Sequence, residues 1–402
     1  MSKAAPPLPA TLAGPFDYAP RTRVVFGPGT IYQLGELTRH ANPGVRRVLL
    51  VTDHGLVAAG HVEHARQILA NDGLEVTVYS EVHQNPDTND IARCLAAARS
   101  ARVEVFIGLG GGSSLDTAKG TNFLLTNGGE MRDYWGVGKA TRPMLPLIAV
   151  PTTAGTGSEC QSAALIADAK THQKMACLDP KAAAKIAVLD PELTLSLPPR
   201  VTAATGVDAL AHALEAAVTR KLNPMSELYS RDAFTRCLPS LAAVLREPSD
   251  LTARGQMLLG AAHAGIAIEN SMLGAVHSAA NPLTAHFDIV HGVAVGIMLP
   301  HVIRFNAGDS AARERYAALA VAAGIAGPHL SAALAVEILL ERIGALLDLA
   351  GIPCSLRDAG VTADGPAQLA PEAARQWTAS FNPRTVQASD FEALYTRACE
   401  PR

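Results

Sequence analysis

The sequence has few aromatic residues and no concentration of charge of either sign. Aromatic residues make up 4% of the 402 residues, charged residues make up 18%, and the net charge at pH 7 is -3. Basic residues form no run longer than a pair such as Arg46 and Arg47. Because nucleic-acid binding depends on clustered positive charge, we expect no nucleic-acid partner.

The six cysteines lack the spacing of a metal ribbon or of a disulfide framework. No two of them are separated by two residues, and scattered thiols favour a reducing cytoplasm. Residues 1–16 contain one lysine and several prolines where a signal peptide needs an uninterrupted apolar segment, so residues 1–20 are predicted to be a flexible lead-in. The charge-free stretch 316–336 is broken by Gly327 and Pro328, which predicts packed helices and no membrane partner.

The order of apolar segments predicts two domains of different class. Between residues 21 and 197, short β-branched runs at 46–53, 74–82, 103–110 and 146–153 alternate with helical patterns at 61–71, 89–100 and 114–125. This alternation predicts an α/β domain with a parallel sheet. After Pro198 and Pro199 the chain becomes rich in alanine and leucine with helical periodicity, so residues 198–402 are predicted to be all-α.

Two loops of the α/β half have the composition of a phosphate-binding site. The segment VFIGLGGGSSLDTAK (105–119) runs from a strand through Gly110, Gly111, Gly112 and Ser113 into a helix, whose free amides attract anions. The segment PTTAGTGSE (151–159) follows another strand and supplies hydroxyl groups. Each loop alone is equally explained as a tight connection, but two at the carboxyl ends of parallel strands predict a dinucleotide site.

Asp53 ends the strand that contains VLLVT. A carboxylate in this place accepts hydrogen bonds from a ribose 2′-hydroxyl and repels a 2′-phosphate, which favours NAD over NADP. The alternative is that Asp53 only caps the following helix.

The helical half contains a possible metal site. Asp208 and His212 are four residues apart, so a helix places them on one face. Further along, His277, His286 and His291 supply more imidazoles than one site needs, and spacing does not decide which of them bind. One carboxylate with three imidazoles suits Zn²⁺ or Fe²⁺. The fourteen-residue recurrence of His263, His277 and His291 does not define one helical face, because we expect Pro282 and the turn at Gly292 to interrupt the helix.

The combined motifs resemble the iron-containing, or group III, alcohol dehydrogenases. The resemblance extends from about residue 20 to the C-terminus and rests on six segments. These are GGGSSLDTAK (110–119), PTTAGTGSE (151–159), DPELTLSLPPR (190–200), ATGVDALAHALEA (204–216), HSAANPLTAHFDIVHG (277–292) and FNPR (381–384). It implies a dehydroquinate synthase-like fold, a homodimer or higher homo-oligomer, reversible hydride transfer between an alcohol and NAD, and a reaction site in the cleft between the domains.

The resemblance also implies which residues form the two sites. The metal ligands fall on Asp208, His212, His277 and His291, which leaves His263 and His286 outside the ligand set. The implied cofactor contacts are Asp53, Asn85, Gly111, Gly112, Ser113, Asp116, Thr152, Thr153, Thr156, Ser158 and Lys174.

Two positions differ from what many relatives contain. Asn281 replaces a histidine that follows the third ligand by four residues, and an amide cannot transfer protons near neutral pH. We therefore expect His286, or a water chain through the cofactor ribose, to carry the proton. Ile268 stands where many relatives have phenylalanine, which predicts a roomier substrate cavity.

Three functions are alternatives to that of an alcohol dehydrogenase. A maleylacetate reductase-like enzyme would reduce a carbonyl acid without a metal, but all four ligand positions are filled here. A lyase such as dehydroquinate synthase would not retain the alcohol dehydrogenase motifs. A catalytically silent nucleotide-binding or sensor protein would keep the fold without proton transfer at Asn281.

Overall fold

A computed structural model describes residues 15–171 and 173–402, which form two compact units. One unit is Ala19–Leu197, and the other contains Pro198–Arg402 together with the described residues that precede Ala19. Most of the predicted flexible lead-in, residues 1–20, lies outside the described residues.

The first unit is built on a six-stranded parallel sheet with the order β1-β9-β6-β4-β2-β3. The strands are β1 (Arg23–Phe26), β2 (Arg47–Val51), β3 (Glu75–Tyr79), β4 (Val105–Gly110), β5 (Gly136–Val137), β6 (Leu147–Pro151), β7 (Ala163–Ala167), β8 (Lys174–Leu178) and β9 (Ile186–Leu189). The chain passes from β2 outward to β3 and then returns to place β4 on the other side of β2. The boundary between β2 and β4 is therefore the switch point of the sheet, where α/β proteins bind ligands.

Helices cover both faces of this sheet. They are α1 (Leu34–Ala41), α2 (His54–Ala58), α3 (His61–Asn71), α4 (Thr88–Ala101) and α5 (Gly112–Asn127). Val48 and Leu50 of β2 pack in a core with residues of α1 and α3, whereas Leu49 and Val51 pack in a second core with residues of α4 and α5. This alternation follows from the two-residue period of a strand, and it confirms the predicted α/β class.

A second, three-stranded sheet was not predicted. Its order is β5-β8-β7, and β7 and β8 are antiparallel. Apolar residues of this sheet, among them Ile166 and Met175, share a core with Phe123 of α5. The second sheet therefore supports the helix that follows the glycine-rich turn.

The second unit is largely helical, as predicted, and contains no strand among its described residues. Its helices are α6 (Pro199–Ala216), α7 (Pro224–Arg246), α8 (Leu251–Asn270), α9 (Ala275–Phe287), α10 (His291–Asn306), α11 (Ser310–Ala322), α12 (Ala332–Leu349), α13 (Gly365–Arg375) and α14 (Ala388–Ala398). Helix α6 packs against α7, α8 and α10. Its small buried residues allow this close packing, which explains a core with few aromatic side chains.

Polar residues begin several of these helices. Asn223 and Asp250 accept hydrogen bonds from the free amides in the first turns of α7 and α8. Within the described part of the chain, no helix combines the length and the hydropathy needed to cross a membrane.

Candidate active site

Helix α6 supplies a buried aspartate and a buried histidine on one face. Asp208 and His212 are 4% and 5% exposed, and His212 Nε2 lies 3.4 Å from Asp208 Oδ1. This is the arrangement that the four-residue spacing predicted. A buried carboxylate needs polar partners, and here imidazoles provide them.

Helix α9 brings a second imidazole to the same oxygen. His277 Nε2 lies 3.2 Å from Asp208 Oδ1, and the rings of His277 and His212 stack with centroids 4.7 Å apart. The other ring nitrogen, Nδ1, is hydrogen-bonded to Oε2 of Glu215. His277 is therefore held from both sides.

Helix α10 adds the third imidazole at its first residue. His291 Nε2 lies 3.7 Å from Asp208 Oδ1, and its side chain is 25% exposed, so this side of the cluster is open. The next residue, Gly292, approaches the backbone of α6 so closely that a Cβ would lie 2.1 Å from the carbonyl oxygen of Ala204. Only glycine allows α10 to begin this close to α6.

The helix that contains His277 ends before His291, but at a different residue from the one predicted. Pro282 lies inside α9, which continues to Phe287, and the chain turns at Asp288 in the left-handed region. Pro282 does not end the helix here, so this prediction was wrong. The chain changes direction in the connection between α9 and α10, and this turn separates the two histidines along the chain.

The charges of the cluster reinforce one another. Burial alone would raise the pKa of Asp208, but the charge of His212 and the hydrogen bond with His277 hold it well below its usual range. Burial alone would lower the pKa of His277, but the charge of Glu215 and the hydrogen bond with Asp208 raise it to about 9. The buried carboxylates and imidazoles of this cluster therefore stabilise one another's charged forms.

The donor atoms of Asp208, His277 and His291 fit a transition metal in chemistry and in spacing, and His212 reaches the same carboxylate oxygen at 3.4 Å. Three Nε2 atoms lie 3.2–3.7 Å from one carboxylate oxygen, and ligands about 2.1 Å from a tetrahedral ion are about 3.4 Å apart. Ligand atoms of Asp208, His277 and His291 lie within 4.8 Å of one another. Imidazole nitrogen with one carboxylate suits Fe²⁺ and Zn²⁺.

The structure does not bring His263 or His286 to this cluster. His286 lies at the end of α9, where its Nε2 is 2.6 Å from Glu372 Oε2 and its side chain is 55% exposed. His263 Nδ1 is hydrogen-bonded to Asp232 at 2.5 Å. His286 follows His277 by nine positions along α9, a rise of about 13 Å, so its place in a proton path stays a prediction that would need intervening groups.

Two residues of the site were missed in the sequence. Glu215 follows Asp208 by seven residues, two helical turns along the same face, and this spacing was the available signal. Gln376 carried no such signal, and it accepts a hydrogen bond from Asn281 Nδ2 at 3.2 Å. Ile268, the predicted determinant of cavity size, is buried in α8.

In the α/β unit, the glycine-rich turn and the threonine-rich loop are packed together beside the switch point. Gly110 has a φ of 150°, Gly111 precedes α5, and no side chain of the described residues is hydrogen-bonded as a cap at the N-terminus of that helix. A Cβ on Gly112 would lie 2.8 Å from Thr156 Cγ2, and one on Gly111 would lie 3.3 Å from Thr153 Cγ2. The glycines therefore let the two loops approach each other with helix amides free to bind an anion.

The other predicted cofactor residues of these loops vary in exposure. Ser113, Thr153 and Thr156 are half-buried, whereas Thr152 is 2% exposed and its amide donates to the carbonyl of Gly110 at 3.1 Å. Asp53 follows β2 and caps α2, with Oδ1 accepting from the Leu56 amide at 3.1 Å. Its other oxygen has no hydrogen bond to the described residues, so helix capping and ribose binding are compatible.

Asn85 and Lys174 complete the predicted set. Asn85 is exposed with a φ of 53°, in the left-handed region. Lys174 is half-buried at the start of β8, and its charge acts on Asp116.

Asp116 and Ser158 belong to a buried network that the sequence did not reveal. Lys119 is fully buried, and its Nζ donates to Ser158 Oγ at 2.8 Å and to the backbone carbonyls of residues 158, 161 and 163. Ser158 Oγ in turn donates to Asp116 Oδ1 at 2.8 Å. Asp116 and Ser158 therefore hold the threonine-rich loop against α5.

A buried carboxyl lies at the end of the same loop. Glu159 is 1% exposed, its Oε1 has no hydrogen-bond partner among the described residues, and burial raises its pKa to about 7. Burial likewise raises the pKa of Asp116, against the charge of Lys119.

The two units define the class of the protein. One has the parallel sheet, glycine-rich turn and helix N-terminus that suit a dinucleotide, and the other has the carboxylate and imidazoles that suit a metal ion. These are the features of enzymes that use a dinucleotide together with a metal ion.

Comparison with known proteins names the family. Residues 20–191 match the model of iron-containing alcohol dehydrogenases, and residues 202–399 match the C-terminal model of the same family. The 1,3-propanediol dehydrogenase of Klebsiella pneumoniae is 34% identical over 386 residues, which cover 95% of this chain and 98% of that protein. The NAD-dependent methanol dehydrogenase of Bacillus methanolicus is 32% identical over 377 residues, with 93% and 97% covered.

A solved structure agrees with the sequence relatives. The crystal structure of a 1,3-propanediol oxidoreductase superimposes with a TM-score of 0.92 and 33% identity, covering 96% of this chain and all of the other. The chain belongs to the iron-containing alcohol dehydrogenase family, and the predicted family and fold are confirmed.

Proposed function

We propose that this enzyme oxidises small alcohols and reduces the corresponding aldehydes, with NAD as the hydride carrier and a metal ion held by Asp208, His212, His277 and His291. The observation that carries the proposal is the convergence of three imidazole Nε2 atoms on one buried carboxylate oxygen. We also propose that the enzyme is a homo-oligomer and that it acts in the cytoplasm.

NAD is favoured over NADP by the position of Asp53 and by the relatives. The carboxylate of Asp53 follows β2 at the switch point and would repel a 2′-phosphate. The methanol dehydrogenase that resembles this chain is named as NAD-dependent. The ion is Fe²⁺ or Zn²⁺, since the donor set suits both.

When bound, the ion supplies the positive charge that favours deprotonation of an alcohol hydroxyl, and NAD supplies the hydride acceptor. The residues of the chain hold these groups in place. Asp208 contributes negative charge, while the hydrogen bond with Glu215 orients His277. In the α/β unit, Lys119 and Asp116 fix the loop that carries Thr153 and Thr156.

The proton path of this chain does not use a side chain of α9. His277 and His286 are the titratable residues of α9; His277 is engaged in the cluster, and His286 is paired with Glu372. Asn281 cannot exchange a proton near neutral pH. We therefore propose that a water chain, the second path considered from the sequence, carries the proton.

The proposal is tested by the absorbance of the reduced cofactor over a panel of alcohols and aldehydes. The protein is stripped with a chelator and reloaded with Fe²⁺ or Zn²⁺. Turnover is expected only in the reloaded protein and with NAD, at ~1 s⁻¹ or above for a typical enzyme. Equal turnover after complete stripping would contradict the metal mechanism and favour a metal-free reductase of carbonyl acids. NAD binding without turnover would favour a nucleotide-binding protein.

Replacing Gly112 with alanine tests the cofactor site separately. The added Cβ would lie 2.8 Å from Thr156 Cγ2, so the threonine-rich loop must move away from α5. We expect the Kd for NAD to rise roughly tenfold or more, because displaced loop atoms lose their alignment with the ligand. Metal content is expected to stay the same.

The matched control is Gly344→Ala. Gly344 lies inside α12, and a Cβ there meets nothing within 4 Å. Its Kd for NAD should equal that of the wild type, and its free energy of unfolding should increase by up to about 1 kcal/mol. Equal NAD affinity in both variants would remove the glycine-rich turn from the cofactor site.

A further inference from the structure

We propose that Glu215 is a positioning residue that fixes the orientation and tautomer of His277 and thereby sets the affinity of the metal site. This inference rests on the proposed function, because it assumes that His277 binds an ion. Glu215 is bonded to Nδ1 of the His277 ring, whereas the other ring nitrogen, Nε2, faces Asp208.

The carboxylate of Glu215 makes two hydrogen bonds to neighbouring residues of α9. Its Oε2 is bonded to His277 Nδ1, and its Oε1 accepts from the backbone amide of Val276 at 2.8 Å. Glu215 is 3% exposed, and both bonds are buried. One rigidly held group therefore fixes the backbone and the ring of the same turn.

The start of α9 is held from a second side by Asn382. Its Oδ1 accepts from the amide of Ala275 at 3.2 Å and from Asn306 Nδ2 at 3.0 Å. Its Nδ2 donates to Asn306 Oδ1 at 2.7 Å and to the carbonyl of Arg384 at 2.9 Å. The first two amides of α9 thus each have a side-chain acceptor that is anchored elsewhere in the unit.

Gly274 shows how tightly these acceptors close on the helix. A Cβ at this position would lie 2.9 Å from Asn382 Oδ1 and 3.0 Å from Glu215 Oε1. Both acceptors therefore lie directly against the residue that precedes α9, and each is also hydrogen-bonded to an amide of its first turn.

The chemical consequence falls on the other nitrogen of the ring. A carboxylate accepts but does not donate, so it keeps a proton on His277 Nδ1 and leaves Nε2 as the atom with a lone pair available for a metal. Nε2 is the atom that faces Asp208. Carboxylates that orient a metal-binding histidine in this way typically contribute 10- to 100-fold to metal affinity.

Glu215 could have a purely structural role, as a cap of α9. The variant Glu215→Gln separates this capping role from the orientation of His277. Glutamine keeps an oxygen for the Val276 amide, so the cap and the fold are retained. It removes the negative charge next to His277, and its amide can present a donor to Nδ1 and thus favour the wrong tautomer.

The experiment measures the Kd of Zn²⁺ by competition with a chromophoric chelator, and the visible absorption of the Co²⁺-loaded protein. In Glu215→Gln we expect the Kd for Zn²⁺ to rise by about 10- to 100-fold, with an altered Co²⁺ spectrum and a melting temperature close to that of the wild type. Unchanged Zn²⁺ affinity and an unchanged Co²⁺ spectrum would overturn the proposal.

Glu372→Gln is the matched control. It also removes a carboxylate from a histidine of α9, because Glu372 is paired with His286, but outside the cluster. Its Zn²⁺ affinity and Co²⁺ spectrum are expected to match those of the wild type. A loss equal to that of Glu215→Gln would show a general charge effect and would count against positioning.

A second variant covers the case in which Glu215→Gln does not fold. Glu215→Asp keeps the charge but is one methylene shorter, so it cannot reach both Val276 and His277. We expect it to fold and to bind Zn²⁺ at least about threefold more weakly, and wild-type affinity would contradict the proposal. A wild-type protein that binds no Zn²⁺ or Co²⁺ would instead overturn the proposed function.

Discussion

Replacing Asp208 with asparagine is expected to remove the bound metal and to lower the turnover of alcohols by roughly a thousandfold or more. Asp208 Oδ1 is the atom that His212, His277 and His291 share, at 3.2–3.7 Å. Asparagine has nearly the same shape but no charge, so an ion surrounded by neutral imidazoles loses its anionic ligand. Metal content by elemental analysis and turnover by cofactor absorbance are measured on the same protein.

Asp232→Asn provides the comparison for this result. Asp232 also pairs with a histidine of the helical unit, His263, and with Arg236, but it lies outside the cluster. Its metal content should be that of the wild type. If Asp208→Asn retained both metal and turnover, the assignment of the site would be wrong.

Replacing Lys119 with methionine is expected to lower the free energy of unfolding by about 3–5 kcal/mol, because it leaves several buried oxygen acceptors without a donor and removes a charge that acts on the buried Asp116. Lys119 Nζ bridges the threonine-rich loop and supplies the charge that opposes the desolvation of Asp116. Without it, Asp116 remains buried with only the charge of Lys174 acting on it, and the loop loses four hydrogen bonds from Nζ. Chemical denaturation measures the stability, and titration measures the Kd for NAD, which we expect to rise.

The loss in Lys119→Met should depend on pH with a defined sign. The pKa of Asp116 is raised in the folded protein, so its ionisation costs stability above the pKa of the unfolded chain. Removing Lys119 raises that folded pKa further, and the variant should therefore be more destabilised at pH 8 than at pH 5.

Two further variants serve as controls for this prediction. The double variant Lys119→Met/Asp116→Asn removes both charges, and we expect it to recover much of the lost stability. Lys185→Met changes an exposed lysine of the same unit and should have little effect. A single variant as stable as wild type, with no dependence on pH, would show that the network does not hold the loop.

The sequence predicted the parts of the fold whose periodicity is strong. Strands β2, β3, β4 and β6 and helices α3, α4 and α5 lie where the apolar patterns indicated. The strand β7, Ala163–Ala167, was not predicted because its alanines carry no β-branched signal and its partner, β8, lies beyond a turn. Antiparallel pairing of such short strands depends on the core that they share with α5, which is a tertiary effect.

The metal cluster could be predicted only in part from spacing. The pair Asp208 and His212 follows from the geometry of one helix. The choice of His277 and His291 over His286 depends on where α9 ends and on how α10 packs against α6, and only the family resemblance anticipated it. The burial of Lys119 could not be predicted, because a lysine surrounded by carbonyl oxygens has no local sequence pattern.

The close approach of α10 to α6 at Gly292 has a consequence for a residue that carries no ligand atom of its own. A Cβ at this position would lie 2.1 Å from the carbonyl oxygen of Ala204, so any larger residue would push the first turn of α10 away from α6. His291 precedes Gly292 in the chain, and its Nε2 lies 3.7 Å from Asp208 Oδ1. The geometry of the histidine cluster therefore depends on the size of a neighbouring residue, through the main chain of α10.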